Sequence, residues 1–228
     1  MTHNPIIVAL DFESAGEALA LVERLGDRIG FYKIGMELYA AAGMPFAREL
    51  RARGKQVFLD MKFYDIGETV RRAVCQVARA GLEFLTIHGS QPVMQAAIEG
   101  RGGAGLKLLA VTVLTSYDRQ DIQDLGYPCE VAPLVDLRVR KAIESRVDGV
   151  VASPLDAARV RAIAGPDLLI VTPGVRSAGS AKGDQKRVAT PAEAIRAGAH
   201  YVVIGRQITR AADPAAEAAR VLEEIASA

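Results

Sequence analysis

The chain has 228 residues, of which 50% are hydrophobic and 24% are charged. This composition is typical of a folded globular protein and excludes a disordered or collagen-like chain. Lys and Arg number 28 against 27 for Asp and Glu, so the net charge of +1 gives no reason to expect a nucleic acid or a membrane surface as a partner.

Cysteine content and apolar segments bear on location. Cys75 and Cys129 are too few for a disulfide framework and match no metal-ligand spacing, which favours a reducing compartment. The N-terminus lacks the basic and apolar regions of a signal peptide, and no segment approaches the roughly 18 apolar residues that cross a bilayer. We therefore expect a cytoplasmic protein.

Short runs rich in β-branched and aromatic residues alternate with helical patterns along the whole chain. Apolar residues at i, i+3 and i+4 spacing predict a helix between each pair of successive strands. Two helix starts carry the capping-box pattern, Ser14 with Glu17 and Thr190 with Glu193. The eight predicted strands are Ile6–Leu10, Phe31–Ile34, Val57–Leu59, Phe84–Ile87, Leu108–Leu114, Gly149–Ala152, Leu168–Val171 and Tyr201–Ile204.

Strands separated by helices form βαβ units and therefore a parallel sheet. Eight such units in this length predict an α/β fold, a closed (β/α)₈ TIM barrel, as a single domain over residues 1–228. The alternative is an open doubly wound sheet, but no G-x-G-x-x-G follows the first strand, where its dinucleotide turn would lie.

In such a barrel the active site lies at the carboxyl ends of the strands. A long stretch without helical or strand period, from Arg176 to Arg187, predicts a loop that closes over this end, although a tolerated surface loop is the alternative. A polar residue stands at or after each predicted strand, namely Asp11, Lys33, Asp60, His88, Thr115, Ser153, Arg176 and Arg206.

Charged residues concentrate at the ends of the first three strands. Asp60 and Lys62 alternate along a strand, so both are expected to face the barrel mouth, where Lys33 and Asp11 should join them. Charges inside a barrel are costly unless paired. A purely structural ion network is the alternative, but buried ion pairs add little net stability, so the array favours a catalytic site.

The segments after the last two predicted strands have the residues of a phosphate-binding site. Thr172-Pro173-Gly174-Val175-Arg176 follows the seventh strand, and Gly205-Arg206 follows the eighth. Barrels commonly bind phosphate at these two loops, because glycine lets the backbone approach an anion and the arginine fork matches phosphate oxygens.

These residues together resemble the orotidine 5′-phosphate decarboxylase family over nearly the whole chain. The Asp-x-Lys-x-x-Asp pattern is shared with a wider suprafamily, whereas its combination with Lys33 and the Pro-Gly-Val-Arg segment is specific. The matching segments are Ala9-Leu10-Asp11, Lys33-Ile34-Gly35, Asp60-x-Lys62-x-x-Asp65-Ile66, Val113-Leu114-Thr115-Ser116, Thr172-Pro173-Gly174-Val175-Arg176, Gln185 and Gly205-Arg206.

The resemblance implies a carboxy-lyase that converts orotidine 5′-phosphate to UMP, the last step of de novo UMP biosynthesis, without metal or other cofactor. Lys62 would be the proton donor near C6 of the pyrimidine, next to Asp60. Asp11 and Lys33 would bind ribose hydroxyls, and Lys33 would also neutralise Asp60.

The remaining substrate contacts follow from the same resemblance. Thr115 would line the pyrimidine pocket. Gln185, Gly205 and Arg206 would hold the phosphate, with Arg176 assisting.

The resemblance also implies a homodimer with shared active sites. Asp65 and Thr69 would act in the partner's site. One departure affects these two residues, because Gly67-Glu68 stands where many family members have Pro-Asn, and glycine loosens the turn that aims them.

Two other functions remain open at the level of sequence. A magnesium-dependent lyase for phosphorylated keto sugars shares the Asp-x-Lys-x-x-Asp pattern but carries a metal-binding Glu where this chain has Lys33. A non-catalytic nucleotide-binding barrel would need the phosphate site alone. His88 could be an acid or a hydrogen-bonded residue that fills the barrel.

Overall fold

Eight parallel strands close into a barrel, in the order β1 to β8 with β8 pairing back to β1. The structure, a computed structural model, describes residues 4–178 and 189–227. The predicted TIM barrel is therefore confirmed. The strands are β1 Ile6–Leu10, β2 Phe31–Ile34, β3 Gln56–Phe63, β4 Phe84–His88, β5 Lys107–Val111, β6 Gly149–Val151, β7 Leu169–Pro173 and β8 Tyr201–Ile204.

Helices follow the strands and cover the outside of the barrel. The capping box predicted at Thr190 and Glu193 forms in full. At the start of α1, Ser14 accepts from the backbone N–H of Glu17, but the Glu17 carboxylate accepts from the Ser14 hydroxyl group instead of the Ser14 backbone, so only half of that predicted capping box forms. No helix in the described part of the chain is long and apolar enough to cross a membrane. The helices are α1 Ala15–Leu25, α2 Met36–Ala52, α3 Gly67–Arg79, α4 Gln91–Arg101, α5 Arg119–Asp124, α6 Val131–Ser145, α7 Ala157–Ala164, α8 Pro191–Arg196, α9 Arg206–Thr209 and α10 Pro214–Ala226, with a 3₁₀ turn at Gly26–Arg28.

The predicted bounds of β3 to β7 differ from the structure; β4, β6 and β7 differ by one or two residues at an end, and the larger differences are in β3 and β5. Strand β3 continues to Phe63 instead of ending at Leu59. Strand β5 ends at Val111, so the prediction that it reaches Leu114 is wrong. Val113 and Leu114 are apolar because they line a cavity above the barrel, which gives a loop the composition of a strand.

Aromatic rings fill the lower part of the barrel interior. Phe31 lies 4.9 Å from Phe84 and 5.7 Å from Tyr201, measured between ring centroids. Phe58 packs edge-on against Phe84 at 5.8 Å. These rings form a packed floor to the barrel interior, below the carboxyl ends of the strands, where barrels place their active sites.

Above this floor the two sides of the barrel differ. Strands β5 to β8 contribute one valine each, and these four residues, here called the valine wall, are Val111, Val151, Val171 and Val203. Strands β1 to β3 contribute acidic and basic side chains instead. These four, here called the charged array, are Asp11, Lys33, Asp60 and Lys62.

Candidate active site

A cavity of about 320 Å³ lies at the carboxyl ends of the strands, between the charged array and the valine wall. Its volume falls at the low end of the range of about 300–1,000 Å³ usual for small-molecule sites. Eight of the predicted site residues line it, namely Asp11, Lys33, Asp60, Lys62, Thr115, Arg176, Gly205 and Arg206.

The charged array forms a chain of opposite charges. Lys33 Nζ lies 3.2 Å from Asp11 Oδ1 and 3.7 Å from Asp60 Oδ2. Lys62 Nζ donates a 2.9 Å hydrogen bond to Asp60 Oδ1. Each lysine therefore has a carboxylate beside it, and Asp60 lies between the two ammonium groups.

Asp60 is ionised at neutral pH. Burial alone would raise the pKa of its carboxyl group, but the charges of Lys33 and Lys62 and the hydrogen bonds from Lys62 and Thr86 hold that pKa below its ordinary value. The side chain is only 17% exposed, so water screens these interactions weakly.

The segment that carries Asp60 and Lys62 is not a regular strand. Its pairing with β4 shifts between Leu59 and Phe63, and Lys62 has a φ of +49°. Asp60 and Lys62 both line the cavity, as the alternation of side chains along a strand predicts. The position of Lys62 also depends on the irregular backbone at that residue. Bulges of this kind commonly re-aim a side chain next to an active site.

Thr86 on β4 holds this irregular segment. Its hydroxyl accepts a 2.8 Å hydrogen bond from the backbone N–H of Lys62 and donates a 2.9 Å bond to Asp60 Oδ1. Sequence reasoning missed Thr86, because it considered polar residues at strand ends and not inside strands. The available signal was a threonine two residues before His88, on the same face of the strand.

The arginine-bearing segments lie on the opposite side of the cavity from β3. Arg176 follows β7 and Arg206 begins α9. The side chain of Gln207 connects the two segments, since its Oε1 accepts from the backbone N–H of Ser177 at 3.0 Å and its Nε2 donates to Glu217 of α10 at 2.8 Å. Gln207, which also lines the cavity, was not predicted.

Asp65 and Thr69 lie outside the cavity of their own subunit. Both are exposed; Asp65 Oδ1 accepts a 2.6 Å hydrogen bond from the backbone N–H of Ile66, and Thr69 is in the first turn of α3. Gln185 and most of the predicted closing loop, residues 179–188, lie outside the described residues.

His88 is at the end of β4, beside the cavity. Its ring stacks on Tyr64 with 4.1 Å between centroids. Burial, assisted by the nearby charge of Arg138, lowers the pKa of His88 to about 4. Its Nδ1 has no hydrogen-bond partner among the residues that the structure describes, so the ring is a neutral stacking platform and is a poor candidate for an acid at neutral pH.

In residues 4–178 and 189–227, no group of three or more His, Cys, Asp or Glu side chains has the arrangement of a metal site. The position between the carboxylates of Asp11 and Asp60 is taken by the ammonium group of Lys33.

Known proteins resemble this chain over nearly its whole length. Orotidine 5′-phosphate decarboxylase of Caulobacter sp. (strain K31) is 54% identical over 99% of both chains. The enzyme of that name from Nitrobacter winogradskyi is 51% identical over 100% of this chain and 95% of its own length. The crystal structure of orotidine 5′-phosphate decarboxylase from Lactobacillus acidophilus has a TM-score of 0.87 and 34% identity, and the match covers 98% of this chain and 99% of that one.

A family model described as orotidine 5′-phosphate decarboxylase / HUMPS family matches residues 4–221. This match spans the whole barrel and includes every residue of the charged array. The chain therefore belongs to the orotidine 5′-phosphate decarboxylase / HUMPS family.

Proposed function

We propose that this protein decarboxylates orotidine 5′-phosphate to UMP, the last step of de novo UMP biosynthesis, with no metal or other cofactor. One observation carries the proposal: the ammonium group of Lys62, held 2.9 Å from Asp60, faces a closed-bottomed cavity that also has two arginines. The full-length relatives named for this activity support the same substrate.

The chemistry requires a cation at the reacting carbon. When the bond between C6 and the carboxylate breaks, its electron pair stays on C6 in the plane of the ring, where no carbonyl can delocalise it. The ammonium group of Lys62 stabilises this anion and then transfers a proton to C6, which yields UMP and CO₂. Two unit charges about 4 Å apart interact by about 4 kcal/mol at an effective dielectric of 20, or about three decades of rate.

Asp60 and Lys33 complete the reacting end of the site. The carboxylate of Asp60 holds the Lys62 ammonium group in place through their 2.9 Å contact, and it places negative charge where the substrate carboxylate must sit. Lys33 balances that carboxylate at 3.7 Å. Release of CO₂ then removes the repulsion between two carboxylates, so the array favours the transition state over the bound substrate.

The other predicted residues bind the substrate. Asp11 and Lys33 bind the ribose hydroxyls, and Thr115 lines the pyrimidine pocket. On the phosphate side, Gly205 and Arg206 hold the anion with help from Arg176, and Gln185 is assigned there by resemblance alone. Binding energy from the remote phosphate assists the reaction at C6.

We further infer a homodimer in which Asp65 and Thr69 enter the partner's active site. Both are exposed and outside their own cavity. Next to Asp65, Tyr64 is 70% and Ile66 is 76% exposed. Large apolar side chains that protrude together suit a protein interface better than water.

Mixed dimers test the shared site. Lys62→Ala and Asp65→Ala homodimers should each have low activity, while a mixed dimer contains one cavity in which both residues are intact. Random re-pairing of equal amounts should restore about a quarter of the wild-type sites. No recovery after confirmed subunit exchange would contradict a shared site, and a monomer in analytical ultracentrifugation would contradict the dimer itself.

A cytoplasmic location is also proposed. Its support is that both cysteines are free thiols, as is usual in a reducing compartment.

Ultraviolet absorbance of orotidine 5′-phosphate, recorded with purified protein in EDTA, tests the function. We expect turnover to persist in EDTA. The family description also includes HUMPS members, and a lyase for phosphorylated keto sugars would need Mg²⁺; but a magnesium ion would meet the ammonium group of Lys33. Activity on keto-sugar phosphates that EDTA abolishes would favour that lyase, and UMP binding without any turnover would favour a non-catalytic barrel.

A further inference from the structure

A buried hydroxyl group on β4 connects the two residues that the proposed reaction depends on most. Thr86 is completely buried. Its Oγ1 lies 2.9 Å from Asp60 Oδ1 and 2.8 Å from the backbone nitrogen of Lys62.

The direction of both hydrogen bonds follows from the chemistry of the partners. The backbone N–H of Lys62 can only donate, and the ionised carboxylate of Asp60 can only accept. The single hydroxyl proton of Thr86 must therefore point to Asp60, while an oxygen lone pair receives the Lys62 N–H. A serine could make the same two bonds, whereas an isosteric valine could make neither.

The backbone that Thr86 holds is in an unfavourable conformation. Lys62 has a φ of +49°, in the left-handed region that residues with a side chain rarely adopt. The residues between Leu59 and Phe63 also leave the regular ladder with β4. Such conformations persist where the surroundings fix them, and the hydrogen bond from Lys62 N–H to Thr86 is one such fixed contact.

This inference rests on the proposed decarboxylation. We propose that Thr86 is a positioning residue for the reaction, which fixes the Asp60 carboxylate and the backbone of Lys62 so that the Lys62 ammonium group faces C6 of the substrate. Thr86 acts through these two residues and does not contact the phosphate side of the cavity.

Three variants separate positioning from a general loss of packing. Thr86→Val keeps the side-chain volume and removes both hydrogen bonds, and Thr86→Ser keeps the hydroxyl. Thr112→Val is the matched control, because Thr112 is also buried and its hydroxyl donates a 3.0 Å hydrogen bond to the backbone carbonyl of Val151. The measurements are kcat and KM for orotidine 5′-phosphate, affinity for UMP, and the unfolding midpoint of each protein.

We expect Thr86→Val to lower kcat by about 10- to 100-fold, the range that hydrogen bonds to charged groups usually represent. KM and UMP affinity should change by less than about threefold, since the phosphate and ribose contacts remain. Thr86→Ser should recover most of kcat. Thr112→Val should retain wild-type kcat even where its unfolding midpoint falls.

Other results overturn the inference. They are a kcat of Thr86→Val within about threefold of wild type, a loss that appears only in KM, an equal loss of kcat in Thr112→Val, or no recovery in Thr86→Ser when that variant is folded. If Thr86→Val does not fold, kcat of Thr86→Ser and of Thr112→Val remains the test: a folded Thr86→Ser with a low kcat, or a low kcat in Thr112→Val, would contradict the inference. A wild-type protein that does not turn over orotidine 5′-phosphate contradicts the proposed function instead, so the two failures are distinguishable.

Discussion

The two sides of the barrel mouth are built from the same kind of strand but present opposite surfaces. Strands β1 to β3 place the charged array on one side of the cavity, and strands β5 to β8 place the valine wall on the other. On both sides, the residue that lines the cavity comes two positions after a residue that is packed inside the barrel. Asp60 follows Phe58 in this way on β3, and Val111 follows Leu109 on β5. The two sides of the cavity therefore differ through the side chains of one layer, while the packed layer below them is apolar on both sides.

The difference between the two sides strengthens the electrostatic interactions on which the proposed decarboxylation depends. Water weakens the contacts between ammonium and carboxylate groups because it binds to both. The valine wall offers water molecules in the cavity few hydrogen-bond partners. A lower effective dielectric strengthens every interaction of the charged array. The wall and the array thus work together, and variants of either side should reveal how much each contributes.

The largest effect is expected for Asp60→Asn, which removes the carboxylate between two lysines. Lys33 and Lys62 lose a shared partner at 3.7 Å and 2.9 Å. Interactions of this size predict a fall in kcat of about three decades. Steady-state kinetics by ultraviolet absorbance would measure it.

Asp148→Asn is the matched control for Asp60→Asn. Asp148 pairs with Arg101 at the other end of the barrel, so the variant should lose stability and keep kcat. Equal losses of kcat in the two variants would mean that Asp60 matters for folding alone.

The next effect is expected for Arg206→Ala on the phosphate side. A charge-assisted contact with phosphate is usually equivalent to about 1.5–3 kcal/mol, so kcat/KM for orotidine 5′-phosphate should fall by about 10- to 100-fold. The comparison substrate is orotidine, which has no phosphate and should be turned over equally by both proteins. A parallel loss with orotidine would place Arg206 outside the phosphate site.

A smaller effect is expected when the valine wall receives a hydroxyl group. Val171 is completely buried, and Val171→Thr keeps its shape. Burying a hydroxyl group without a partner costs about 1–3 kcal/mol, so the free energy of unfolding in urea should fall by that amount, while kcat should fall less than in Asp60→Asn. An unchanged free energy of unfolding would show that the wall is already hydrated.

The last effect is a change of stability with pH and concerns His88, at the border between the two sides. Because burial lowers its pKa to about 4 from 6.5, the unfolded chain binds a proton between these pH values and the folded protein does not. Stability from this residue is complete above pH 6.5 and is lost as the pH falls toward 4, by at most about 1.4 kcal/mol per pH unit.

His88→Phe keeps a ring against Tyr64 and removes the titration. The difference between the unfolding free energies of wild type and variant should therefore change with pH over this window and be constant above it. A difference that is constant from pH 4 to 7 would contradict a neutral, buried His88.

Much of this architecture could be predicted from the sequence. The pattern of hydrophobic residues predicts the bounds of β1, β2 and β8 as the structure has them. The polar residues at the ends of the predicted strands include most of the charged residues that line the cavity. The end of β5 could not be predicted, because Val113 and Leu114 are apolar to line a cavity and not to fill a sheet.

Contacts between distant residues were the other limit. Thr86 meets Lys62 across 24 positions, and Gln207 meets Ser177 across 30. No local pattern marks such pairs, since their hydrogen bonds depend on the register of neighbouring strands and on a backbone irregularity at Lys62. The roles of Asp65 and Thr69 depend on a second subunit and stay predictions.

The most direct test of the account is the decarboxylation of orotidine 5′-phosphate by wild type and Lys62→Ala, side by side in EDTA. Lys107→Ala, an exposed lysine at the other end of β5, is the control for the loss of a positive charge. We expect turnover by wild type and Lys107→Ala and a loss of about three decades or more in Lys62→Ala. Turnover by Lys62→Ala close to that of wild type would contradict it.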